Sequence, residues 1–142
     1  MELSRFLTAQ ERDYETALAE IKNGRKRSHW MWYIFPQIAG LGLSETSKFY
    51  AIKDMAEAEA YLLHPILGTR LIEISKVLLE LEDYHATRIF GSPDDSKLKS
   101  SMTLFAALPE TDSVFTQVLK KYFNGIKDWE TLRLINLSAG EG

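Results

Sequence analysis

Ile66-Leu67-Gly68-Thr69-Arg70-Leu71-Ile72-Glu73-Ile74-Ser75-Lys76-Val77-Leu78-Leu79-Glu80-Leu81-Glu82 is the stretch that decides the fold class. Leu67, Leu71, Ile74, Leu78 and Leu81 recur at alternating intervals of four and three, the spacing of one face of an α-helix. A stripe of that kind buries a continuous face, so residues 66–82 predict a long core helix. The same period returns upstream. Thr8 and Glu11 have capping-box spacing, in which a hydroxyl and a carboxylate each satisfy an end amide. Tyr14, Ala17, Leu18 and Ile21 then share one face, and Gly24 is placed to end the helix in a left-handed conformation. Residues 8–23 therefore read as a first helix. Asp54 and Glu57 repeat the capping-box spacing and open a helix to about Leu63, with His64-Pro65 as the junction to the long stripe.

Downstream, residues 83–93 read as a connection, because Gly91-Ser92-Pro93 breaks regular structure. Asp94 or Asp95 caps a helix to about Leu108, which Pro109 ends. Asp112 starts another, carrying Val114, Phe115, Val118, Leu119 and Tyr122 inward, and Asn124-Gly125 closes it. Asp128 begins a last short helix through Ile135, and the chain reads as frayed from about residue 136. Between the first helix and Asp54, Ser28 is placed to cap a short helix that Pro36 stops. Gly40-Leu41-Gly42 is a loop, and Ser44 to Ile52 is another short helix. No strand-alternating segment of convincing length occurs. The expectation is an all-α, single compact domain over residues 1–142, with about six to eight helices around one core.

The chain has 142 residues, 45% hydrophobic and 26% charged, with a net charge of −3. That apolar content is enough to offset the entropy of ordering, which argues against intrinsic disorder. No apolar run approaches the roughly 18 residues needed to span a bilayer. The segment Met1-Glu2-Leu3-Ser4-Arg5 lacks the basic start and apolar core of a signal peptide. With no cysteine, disulfides, thiolate metal sites and a cysteine nucleophile are excluded. These features lead to the expectation of a reduced, cytoplasmic protein with no membrane partner. A dedicated nucleic-acid binder carries a basic surplus, which this chain lacks. One basic cluster, Lys22, Arg25, Lys26 and Arg27, reads either as cations complementing a helix C-terminus or as an anion site.

Familiar catalytic signatures are missing. There is no phosphate loop, no dinucleotide-binding glycine fingerprint and no His-Glu-x-x-His zinc motif. There is no Gly-x-Ser-x-Gly nucleophile elbow. Neither a cofactor nor a metal is expected. What stands out is Ser28-His29-Trp30-Met31-Trp32-Tyr33-Ile34-Phe35-Pro36-Gln37, with five rings counting His29 in seven positions. Residues 29–35 are apolar on nearly every side, so they read as a buried helix or a buried strand; period alone does not separate the two.

Further blocks follow in order: Gly40-Leu41-Gly42-Leu43-Ser44, Leu67-Gly68-Thr69-Arg70-Leu71, Ile89-Phe90-Gly91, and Lys97-Leu98-Lys99-Ser100-Ser101-Met102-Thr103-Leu104-Phe105. Together they resemble the uncharacterised bacterial family known as domain of unknown function 1810, from about Phe6 to Leu134. The resemblance implies a mainly helical fold and no known reaction. Some members carry the label calpastatin, after a long disordered protease inhibitor that this compact sequence does not resemble.

The residues carry two or more readings each. His29 shares a helical face with Trp32, Tyr33 and Pro36. It is either a buried histidine bonded to a backbone carbonyl or a general base working near neutral pH. Trp30 and Trp32 are core residues, or rings that sandwich a planar ligand. Lys97 and Ser101 lie four apart on one helix, where the serine either bonds back to a carbonyl or borders a pocket with the lysine. Arg70 pairs with Glu73 or meets a ligand near the core. His64 reads as a helix-end residue and His85 as solvated. The leading functional expectation is a pocket for a small anionic, nucleotide-like molecule. His29 would be the catalytic base if there is catalysis, and Ser28, Trp30, Trp32, Tyr33, Gln37, Ser44, Arg70, Lys97 and Ser101 would bind the ligand. The alternatives are a protein-interaction module with residues 28–37 as an exposed patch, or a purely structural domain.

Overall fold

Leu67, Leu71, Ile74 and Leu78, four of the five residues of the stripe on which the fold class rests, are buried in the computed structural model, which describes residues 3–141; the fifth, Leu81, stands just past the helix end and is half-buried. Nine helices are present among the described residues: α1 (Ser4–Lys22), α2 (Met31–Ile34), α3 (Glu45–Tyr50), α4 (Met55–Leu63), α5 (Leu67–Glu80), α6 (Ala86–Phe90), α7 (Asp94–Ala106), α8 (Val114–Phe123) and α9 (Trp129–Glu141). The fold is all-α, as the stripes imply. Helix α5 packs on α1, α4 and α8, and α7 packs on α4, α6, α8 and α9. These contacts enclose one core. A single parallel bridge, Ile38 to Ile52, is the only strand-like pairing among the described residues. The amide of Ala39 donates to Ile52 O at 2.8 Å, and the amide of Ile52 donates to Gln37 O at 2.8 Å. This clasp ties the glycine loop to the end of α3. No helix among the described residues is long and apolar enough to cross a membrane.

The helix ends show where local signals win and lose. Ser44 caps α3, its hydroxyl accepting from the Ser47 amide at 3.1 Å. Asp54 caps α4, accepting from the Glu57 amide at 2.9 Å. The Glu57 carboxylate accepts from the Lys53 amide, one residue earlier than a strict capping box would have it. His64 ends α4 and uses Nδ1 to accept from the amides of Ile66 and Leu67, so it starts α5 as well. Gly24 has φ +76°, the left-handed conformation its position calls for.

Four expectations are corrected. Helix α1 begins at Ser4, so Thr8 lies inside it and caps nothing. Ser28 does not cap α2, whose N-terminal neighbour is Trp30; the Ser28 hydroxyl bonds Glu20 instead. The stretch 83–93 contains α6, because Ala86, Ile89 and Phe90 form a one-turn apolar face that is buried. This accounts for a helix beyond the expected number. Helix α9 continues past Ile135 to Glu141. The expected frayed end thus falls on this extension and on Gly142, which lies outside the described residues.

The end of α5 is finished by a distant side chain. Lys121 on α8 donates to Leu78 O at 2.8 Å, Leu79 O at 3.2 Å and Leu81 O. Burial holds its ammonium below the ordinary lysine range. The last carbonyls of a helix have no partner within the helix, and leaving buried acceptors unmet costs about 1–3 kcal/mol. Lys121→Met, which keeps the stem and removes the donors, is therefore expected to lower stability by about 2 kcal/mol. Urea unfolding measures this, and an unchanged midpoint would show that the three carbonyls are satisfied without the lysine.

Candidate functional site

The aromatic segment divides between core and surface. Trp30 is 1% exposed, and Met31, Tyr33, Ile34 and Phe35 are buried with it. The indole N–H of Trp30 donates to Glu20 Oε1 at 2.9 Å, so its one polar atom is satisfied inside the protein. Glu20 also accepts from the amides of Arg27 and Ser28 and from the Ser28 hydroxyl. Burial raises the affinity of this carboxylate for a proton, but the donors outweigh it and hold its pKa at about 2. Tyr33 donates to Asp13 and to His29 O. Burial and the Asp13 bond push its phenol up to about 12, so it remains a donor. Ser28, Trp30 and Tyr33 are therefore structural, and the exposed aromatic patch of the interaction reading is not formed.

The other expected residues are scattered. The His29 side chain is exposed and lies outside the cleft described below. It is neither a buried histidine nor a base facing a pocket. Arg70 sits on α5 with its guanidinium carbon 5.0 Å above the Tyr14 ring, on the α1 side of the bundle. Ser101 is fully buried, and its hydroxyl has no partner. Ser44 acts as the α3 cap. Arg70 and Ser101 thus do not join Lys97 in the basic pocket that the sequence suggested.

Trp32, Gln37 and Lys97 do come together. Trp32 is half-buried and lines a cleft with two lobes. One lobe, of about 120 Å³, lies against the loop of Gly40 and Gly42, with Ser47, Lys48 and Tyr50 opposite. The other, of about 240 Å³, is walled by Ser96, Lys97 and Ser100 of α7 and by Asp128 and Glu130 at the start of α9. Trp32, Gln37, Leu41 and Gly42 belong to both lobes. Gly42 cannot carry a side chain here, because a Cβ would stand 2.5 Å from the Ser47 hydroxyl. Gln37 is 9% exposed, and its amide nitrogen is buried without a hydrogen-bond partner. An unmet buried donor costs about 1–3 kcal/mol, so its persistence calls for an explanation. Each lobe is smaller than the ≈ 300 Å³ at which sites for drug-sized ligands begin, so either lobe alone has room only for a small group.

A chain of charges and rings runs along the rim. Lys97 Nζ lies 4.0 Å from the centre of the Trp32 ring and 2.9 Å from Asp94 Oδ1. The other oxygen of Asp94 is 2.9 Å from Lys26 Nζ, which in turn sits 5.1 Å over Trp30. Desolvation opposes ionisation of Asp94, but the two lysines prevail and hold its carboxyl below the usual range. Of the basic cluster read in the sequence, Lys26 is thus an internal ion-pair partner, while Lys22 closes α1 in its last turn.

Sequence reasoning missed Ser96, Ser100, Asp128 and Lys48. For α7 a signal existed. Leu98, Met102 and Phe105 define its core face, and Ser101, three after Leu98 and four before Phe105, belongs to that face. Ser96 and Ser100, also four apart, share one side of α7 next to Lys97 and line the cleft, the buried Ser100 hydroxyl donating back to Ser96 O at 3.1 Å. For Asp128 no local signal distinguishes a cap that also faces a cleft.

The sequence model of the family described as "Protein of unknown function (DUF1810)" matches residues 1–135. The chain belongs to this family. A DUF1810 assignment agrees with the blocks quoted above. A conserved hypothetical protein of Mycobacterium tuberculosis, Rv1873, has a crystal structure similar to this DUF1810 chain. The two share 43% sequence identity with a TM-score of 0.93, over 95% of this chain and 96% of the other. No curated protein matches the chain. The all-helical fold is therefore that of a close structural relative.

Proposed function

We propose that this DUF1810 member binds a small anionic, nucleotide-like molecule in the Trp32–Gln37 cleft. The observation that carries the reading is the Gln37 amide nitrogen, a buried donor with no protein partner in a cleft walled by an indole. A ligand oxygen would satisfy it, and a planar group would pack against Trp32. Among the described residues, Lys48 is the only charged one lining the glycine-loop lobe, which favours that lobe for the anionic end. The hydroxyl–carboxylate pair in this cleft, Ser100 with Asp128 at 3.1 Å, is tied up by further bonds to Ser96 O and the Thr131 amide, so binding is the proposed role.

The test is calorimetric titration with adenosine monophosphate of the wild type and Trp32→Ala. Stacking of a base on an aromatic side chain contributes about 1–3 kcal/mol, so affinity is expected to fall roughly five- to hundredfold. Trp32 is half-buried, so the variant retains most of its thermal stability. Equal affinity in the two proteins, or no binding to the wild type, would sink the reading.

A further inference from the structure

Resting on that reading, we infer that the lobe between α7 and α9 takes the hydroxyls of a sugar ring. Unused hydrogen-bonding capacity and charge both favour this occupant. Asp128 Oδ2 accepts from the Ser100 hydroxyl at 3.1 Å, from the Thr131 amide at 3.0 Å and from the Thr131 hydroxyl. Its Oδ1 makes no such bond and is not among the buried unpartnered atoms, so it stands open as an acceptor. Gln37 presents the same pattern in reverse: its carbonyl oxygen is unbonded and uncovered, while its amide nitrogen is buried and unmet. The Ser96 hydroxyl also makes no bond within the protein, and Ser96 is exposed. The lobe therefore offers acceptors and donors side by side, and a hydroxyl group is the ligand function that both donates and accepts.

Charge removes the competing classes. A lone anion in this lobe would face the carboxylates of Asp128 and Glu130, while the ammonium of Lys97 is already held by Asp94 at 2.9 Å. A cation would meet that same ammonium, which occupies a face of Trp32 at 4.0 Å. Glu130 is paired with Arg133 at 2.7 Å, so its charge is engaged as well. What remains is an uncharged, hydroxylated ring. Its C–H surface would lie against apolar wall atoms of Trp32 and Leu41, and vicinal hydroxyls would reach Asp128 and Gln37. With the anionic end in the neighbouring lobe, the ligand is a sugar phosphate or a nucleotide bound through its sugar.

Two compounds with the same phosphate and different bodies test this: ribose 5-phosphate and pentyl phosphate, titrated by calorimetry. The wild type is expected to bind ribose 5-phosphate at least tenfold more tightly. Asp128→Asn keeps a side-chain oxygen for the Thr131 amide and puts an NH2 where Oδ1 stood. Ser96→Ala removes an exposed hydroxyl. Each is expected to shrink the preference for ribose 5-phosphate over pentyl phosphate at least threefold. Thermal unfolding verifies that both variants fold, and Ser96→Ala carries the test if Asp128→Asn does not. Equal binding of the two compounds by the wild type overturns the sugar assignment while leaving the adenosine monophosphate result standing. Survival of the full preference in the folded variants overturns it too. If neither of these compounds nor adenosine monophosphate binds, the reading beneath it falls as well.

Discussion

Gly68→Ala is expected to cost about 3 kcal/mol or more and to lower the unfolding midpoint by roughly 10 °C. A Cβ at this position would stand 1.8 Å from Leu62 O and 2.7 Å from Leu62 C. Those are backbone atoms near the end of α4, so no side-chain rotation relieves the clash. Helices α4 and α5 are joined only by His64, Pro65 and Ile66, and the amide of Gly68 itself donates to His64 O at 2.9 Å. Relief requires the two helices to part by more than an ångström, which opens the contact around Tyr61 and Leu67, both fully buried. Close-packed interiors do not absorb shifts of that size cheaply. Circular dichroism on heating measures the loss, and a midpoint within about 2 °C of wild type would contradict it.

Glu20→Gln is expected to cost about 2–3 kcal/mol at neutral pH. The carboxylate collects four donors, from Arg27, Ser28 and Trp30, at the turn that leads from α1 to α2. An amide of the same shape accepts through one oxygen and turns a donor toward the others, leaving the buried Trp30 N–H or the Ser28 hydroxyl unmet. The pH dependence is specific. The pKa of Glu20 is held at about 2, below the 4.5 of an unperturbed glutamate. Its contribution is therefore fully present above about pH 4.5 and is lost as the pH falls toward 2. The stability difference between wild type and Glu20→Gln should shrink across that window. A difference that stays constant from neutral pH to pH 2 would show that the charge is irrelevant to the turn.

These two positions also show what could be read from the sequence. The α5 stripe was legible because four apolar residues kept a helical period across the element, with Leu81 just beyond its end, and period is a local property. Helix α6 was not, because one turn of Ala86, Ile89 and Phe90 is too short to display a period against the break that follows it. In α7 the apolar stripe was legible, but its consequence was misplaced by one residue. A helix turns about 100° per residue, so exchanging Ser101 for Ser100 moves a hydroxyl from the cleft wall into the core. The tryptophans were singled out correctly as unusual. Whether each is core or cleft depends on partners outside the segment: Glu20, ten residues before Trp30, and Lys97, far along the chain from Trp32. The cleft itself is assembled from residues 32–42, 47–51, 93–100 and 128–130. No spacing rule links those segments, because helix packing alone brings them together.

The shared carboxylate of Asp94 bears on how this protein can diversify. One oxygen holds Lys26 inside the turn below Trp30, and the other holds Lys97 at the rim beside Trp32. A lineage that changes residue 97 leaves Asp94 half-neutralised next to a lysine that still depends on it. A change at Asp94 releases both lysines at once, one of them with only 8% of its side chain exposed. The chemistry of the rim and the integrity of the turn are thus inherited as a linked trait, and change at the rim should arise through paired substitutions rather than single ones.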